Sequence, residues 1–255
     1  MTNEIILLAG LPRTGSTLLL NILMQNPEFY AESNSGLCQI MWDAKVSCEK
    51  NAFEQLTANK RLEKTRDSLI KQIPKIYYSE VSNRKIIDKC RPWVKSANLE
   101  LARKYISEDV KSIVMIRPID EVVKSILRLQ AKDYKQENMF NDYYELIINS
   151  YESTVDCLQK NRKNTLIVEY KNLVKDTEKT IKQIYHFINA NYYDHNYLNV
   201  ESLINEDVFV YNSKEIHKIR SQIEIKKNDI KLSDSLQKAC DEMTNDIYSR
   251  LPEQK

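Results

Sequence analysis

Glycine is nearly absent, with 3 of 255 residues where an average usage near 7% would give roughly 18. Gly10, Gly15 and Gly36 all fall in the first 36 positions. Such scarcity excludes collagen-like chains, Gly/Ser linkers and glycine-punctuated propellers. It also marks the remaining glycines as places where positive φ or close approach to a ligand is needed. Cysteine is thin and without a metal pattern: Cys38, Cys48, Cys90, Cys157 and Cys240 form no CxxC pair. Their odd number argues for reduced thiols rather than a disulfide framework or a zinc site. With histidine only at 186, 195 and 217, no metal site is expected. No stretch reaches 18 apolar residues and MTNEIILLAG lacks a basic leader, so the expectation is a cytoplasmic protein with no membrane partner. A net charge of +2 provides no global field for nucleic acid, and any anion site must be local.

What is present reads as a globular chain. Hydrophobic residues make up 42% and charged residues 29%, consistent with one domain spanning 1–255. Short apolar runs at Ile5–Ala9, Lys85–Asp88, Ser112–Ile116 and Thr165–Glu169 are each followed by a helical pattern. This alternation predicts an α/β fold with helices on a parallel sheet. Helical insertions are expected at roughly 33–73 and 132–161. The second carries Phe140, Tyr143, Tyr144, Ile147, Tyr151, Val155 and Leu158 at core-packing spacing. A last helix is expected behind Ser233 and Asp234.

Gly10-Leu-Pro-Arg-Thr-Gly-Ser-Thr17 leaves the first strand and opens a helix, where backbone N–H groups and the helix dipole converge on an anion. The two glycines have Walker A spacing, but Ser16 stands where that motif requires lysine. Arg13 supplies a positive charge inside the loop, and Ser16 and Thr17 add hydroxyl donors. A second segment runs Ser112-Ile-Val-Met-Ile-Arg117-Pro-Ile-Asp-Glu-Val-Val-Lys-Ser125. It places Arg117 at the carboxyl edge of the sheet and Ser125 on the polar side of the next helix. Together the segments suit a ligand with two separated anionic groups.

These segments resemble the sulfotransferases that use 3′-phosphoadenosine-5′-phosphosulfate (PAPS), in a bacterial-type branch. GLPRTGSTLL is similar to the 5′-phosphosulfate loop of that family, with Arg13, Thr14, Gly15, Ser16, Thr17 and Leu18 on the donor. Arg117 and Ser125 are similar to its 3′-phosphate element, and Tyr170 in Val168-Glu-Tyr170 to a tyrosine that approaches the adenine. Asn26-Pro27-Glu-Phe29 and Ile86-Ile-Asp88-Lys-Cys-Arg91-Pro-Trp93 match the bacterial branch. Glu215-Ile-His217-Lys218-Ile-Arg220 resembles a late loop over the nucleotide, with His217, Lys218 and Arg220 as contacts. The resemblance implies a three-layer P-loop-like fold, PAPS as co-substrate, adenosine 3′,5′-bisphosphate (PAP) as product, and no metal.

A general base should take the proton of the acceptor hydroxyl or amine. Asp88 at the end of a core strand is the first candidate; alternatively it orients Arg91 or Arg13 by an ion pair. Glu32, after the first helix, is the second candidate, and His217 the third. Arg13 is the expected stabiliser of the leaving phosphate. The acceptor, whether small molecule, sugar or peptide, is left open. A kinase-like phosphotransferase and a non-catalytic nucleotide-binding module are the alternatives.

Overall fold

The computed structural model describes residues 3–82, 84–129, 136–160, 163–203, 223 and 229–251, with side chains of the long helix from 142 onward. Five parallel strands form one sheet: β1 (Glu4–Gly10), β2 (Phe29–Ala31), β3 (Lys85–Lys89), β4 (Lys111–Ile116) and β5 (Thr165–Glu169). Their order is β2-β3-β1-β4-β5. The central β1 is buried on both faces, as a parallel strand covered by helices must be. Ile5, Leu7 and Ala9 enter one core, while Ile6 and Leu8 enter the other.

The four strands expected from apolar runs are present. β2 adds an edge strand whose three residues are too short to show a pattern. Helix α1 (Ser16–Leu23) follows β1, and its Leu19, Leu20, Ile22 and Leu23 are fully buried. The first insertion holds α2 (Leu37–Val46), a π turn (Ser47–Asn51), α3 (Phe53–Ala58) and α4 (Leu62–Tyr77). A 3₁₀ turn (Arg91–Val94) precedes α5 (Ser96–Tyr105), and α6 (Ile119–Leu127) follows β4.

Helix α7 (Gln136–Lys160) packs Tyr143, Ile147, Tyr151, Val155 and Leu158 against the core; Tyr144, expected among them, is exposed, and the side chain of Phe140 lies outside the described set. After β5 come α8 (Tyr170–Lys175) and α9 (Thr177–Ile188), and α10 (Asp234–Ser249) closes over α6 and α7. Ser233 occupies the N-cap position of α10 as expected, but its hydroxyl makes no capping bond. All five cysteines are free thiols. Among the described residues no helix is long and apolar enough to cross a membrane, and no three His, Cys, Asp or Glu residues group as metal ligands.

Candidate active site

The site is assembled where β1, β3, β4 and β5 end, the edge at which open α/β sheets take ligands. Gly10 closes β1 at φ +122°, and a Cβ there would lie 2.1 Å from the Met115 carbonyl oxygen of β4. Glycine is thus required by the approach of two strands before any ligand is considered. Beyond it, Leu11 N–H donates to Met115 O at 3.1 Å. The buried Thr14 hydroxyl donates to Leu11 O at 2.8 Å, so Thr14 serves the loop itself rather than a ligand through its side chain.

Arg13 and Gly15 are both left-handed, at φ 59° and 79°. Left-handed residues on either side of Thr14 turn successive N–H groups into a concave anion cradle. Gly15 is the N-cap of α1, which has no side-chain cap and no acidic residue in its first turn. The positive end of its dipole therefore faces the cradle without a counter-charge from the helix itself.

The second segment is bonded directly to this loop. Arg117 Nη1 donates to the Arg13 carbonyl at 2.9 Å, and Arg13 Nε donates to Ser125 Oγ at 3.4 Å. Arg117 also pairs with Glu121 through Nε at 2.9 Å. Because Ile116 and Glu169 are register partners, the next residues, Arg117 and Tyr170, emerge side by side. The Arg117 guanidinium sits 4.1 Å from the Tyr170 ring centroid, a cation–π contact. The edge of the same ring lies 2.8 Å from where a Cβ on Gly15 would be. Arg13, Gly15, Arg117, Ser125 and Tyr170 thus meet at one place, and Ser16, Thr17 and Leu18, next along the chain, are half-buried. The expected contacts His217, Lys218 and Arg220 lie outside the described residues.

Two carboxylates, Asp88 and Glu32, lie at the ends of β3 and β2. Asp88 is fully buried: Oδ1 accepts from Trp93 Nε1 at 2.6 Å, and Oδ2 accepts from Tyr78 Oη at 2.6 Å and Ser35 Oγ at 2.7 Å. Burial pushes its pKa up against the opposing pull of these three donors. The expected ion pair to Arg13 or Arg91 is replaced by neutral partners, because β3 turns Asp88 toward the helical insertion.

Glu32 follows β2, whose register with β3 (Ala31 against Ile87) sets it beside Asp88. It is half-buried and accepts from Tyr30 Oη at 2.7 Å. Burial, aided by that bond, raises the Tyr30 phenol to about 12. Tyr30 and Tyr77 both pack edge-on against Tyr78, completing an aromatic wall.

One site residue was not expected from sequence. Lys89, only 6% exposed, ends β3 on the face opposite Asp88 and donates to Thr17 Oγ1 at 3.2 Å. Its only signal is the alternation of β3, which sends Lys89 to the face opposite Asp88.

Residues 6–194 match the model of the Sulfotransferase family. The sulfotransferase domain of the Synechococcus PCC 7002 olefin synthase is similar in fold, with 19% identity, coverage of 98% of this chain and 96% of that one, and TM-score 0.63. A sulfotransferase from Alicyclobacillus acidocaldarius is 10% identical over 98% of this chain and 94% of that one, at TM-score 0.55. The sulfotransferase domain from the curacin biosynthetic pathway is 19% identical over 76% of each chain, at TM-score 0.51. No curated protein sequence matches.

Proposed function

The chain belongs to the sulfotransferase family, and we propose that it transfers a sulfuryl group from PAPS to a hydroxyl or amine of a small-molecule, sugar or peptide acceptor. The observation that carries this reading is the pair of bonds that tie Arg117 and Ser125 to Arg13, because they join two anion-binding elements into one site. A donor with a 5′-phosphosulfate and a 3′-phosphate fits such a site, whereas a nucleotide with a single phosphate chain leaves the second element unused.

The N–H groups of the loop and of the first turn of α1, with Arg13, Ser16 and Thr17, hold the 5′-side phosphate. Arg117 and Ser125 take the 3′-phosphate and so set the position of the donor. In-line transfer breaks the S–O bond to that 5′-phosphate as a new S–O bond forms to an acceptor hydroxyl, or an S–N bond to an amine, and charge grows on the leaving oxygen. Arg13 in the loop and Lys89, which donates to Thr17 Oγ1, stabilise that charge.

Glu32 accepts the proton of the acceptor. It is the half-buried carboxylate of the pair, while Asp88 has no exposed surface and both oxygens engaged. Asp88 instead positions Ser35, Tyr78 and Trp93 behind the reacting centre. The reaction needs no metal in this scheme, since Arg13, Lys89 and the helix dipole supply the positive field. Incubation with labelled PAPS and a panel of hydroxyl and amine acceptors should place label on at least one acceptor. Intact PAP binding with no transfer to any acceptor would favour a binding module instead.

A further inference from the structure

We propose that the C-terminal helix α10 is part of the nucleotide clamp, with Thr244 a positioning residue for Arg117 and Ser125 and with Tyr248 bracing the Tyr170 side. This rests on the reading of Arg117 and Ser125 as the 3′-phosphate element. Helix α6 begins after Pro118, which has no side-chain acceptor to serve as a cap. The Ile119 N–H opens the helix and has no acceptor within it. Thr244 Oγ1, 125 residues away, accepts that N–H at 2.9 Å. Ile119 lies between Arg117 and Ser125 in the chain, so this one bond fixes the end of the helix that presents both.

One turn further along α10, the Tyr248 hydroxyl lies 3.5 Å from Glu169 Oε2. Glu169 ends β5, directly before Tyr170 and in register with Ile116. Residues four apart share a helix face, and here that face also carries the buried Cys240 and its neighbour Ile247. The flank is locked by Asp246, which accepts from Tyr151 at 2.7 Å on α7 and from Arg250 at 2.6 Å. A single face of α10 thus touches both strand-to-helix junctions, and the side chains leaving those junctions, Arg117 and Tyr170, are stacked on each other. The helix lies beyond the residues that match the family, so its role here follows from this chain's own contacts.

The test is calorimetric titration of the full chain with PAP and with adenosine 5′-monophosphate, which lacks the 3′-phosphate. Thr244→Val should weaken PAP about fivefold, the size of a lost helix cap, and leave the monophosphate unchanged. Thr244→Ser, which keeps the acceptor, should restore PAP affinity. Tyr248→Phe should act in the same direction with a smaller change, and it carries the test alone if Thr244→Val does not fold. Unchanged PAP affinity in the variants, or equal weakening of both ligands by Thr244→Val, overturns the proposal. A wild-type chain that does not distinguish PAP from the monophosphate overturns the 3′-phosphate assignment itself, a result separate from any effect of the variants.

Discussion

On the proposed function, the donor and acceptor sides of the site use opposite chemistries. At the donor end, cations and backbone N–H groups converge, and the cations are fixed by each other's loops: Arg117 holds the carbonyl of Arg13, and Arg13 holds Ser125. At the acceptor end, Asp88 is satisfied by an indole and two hydroxyls, and Glu32 by a phenol, with tyrosine rings around them. Charge fixed in advance suits a ligand whose anionic groups never change. A neutral wall around one accessible carboxylate suits a site in which the acceptor is placed by shape and a single proton is removed. Recognition and chemistry are thus divided along the sheet edge, and substitutions should separate them.

The largest effect should come from Glu32→Gln, lowering kcat by about 10²- to 10⁴-fold, the usual contribution of a general base, with PAP affinity unchanged by calorimetry. Asp88→Asn giving that pattern while Glu32→Gln retains activity would exchange the roles assigned to the two carboxylates. Next is Gly15→Val, which combines a disfavoured φ of 79° with a clash on Tyr170. It should weaken PAP binding on the order of 100-fold through displacement of the Arg117 stack. Gly36→Ala is the control, because φ there is ordinary and its new methyl would meet only side-chain atoms of Ile40 and Tyr77 at 3.8 Å.

Arg117→Ala should cost about 10- to 100-fold in PAP affinity, as expected for a charged hydrogen bond, while affinity for ATP changes little. Equal losses for both ligands would mean that the donor end reads one phosphate cluster rather than two separate anions.

The smallest effect on this division should come from His195, outside both ends. Burial lowers its pKa from 6.5 to about 4, and its ring shares a hydrogen bond with Tyr185 at 2.9 Å. A folded-state pKa below the unfolded value stabilises the fold above about pH 6.5, and that stability is lost as pH falls toward 4. Thermal melts should show up to about 2 kcal/mol of this loss in the wild type and a flatter profile in His195→Gln. PAP affinity at pH 7.5 should be the same in both.

The loop after β1 and the segment after β4, which meet in the structure, were legible in the sequence because their determinants are local. Gly10, Arg13 and Gly15 sit at fixed spacing between a strand and a helix, and Arg117 to Ser125 repeats that arrangement at the next strand end. Short apolar runs likewise announced four of the five strands described. What escaped depends on register and distance. β2 is three residues long, and only its pairing with β3 puts Glu32 beside Asp88. Lys89 reads as an ordinary polar strand end until the alternation of β3 turns it toward Thr17. The burial of Asp88 depends on donors at 35, 78 and 93, and the cap on α6 comes from residue 244. No local pattern contains either arrangement.

On the proposed function, Arg13 and Arg117 hold two separated anions of one nucleotide. Side-by-side calorimetric titration of the wild-type chain with adenosine 3′,5′-bisphosphate and with ATP tests it most directly. The bisphosphate should bind clearly tighter than ATP, without added metal. ATP binding as tight as the bisphosphate, or tighter, would contradict it.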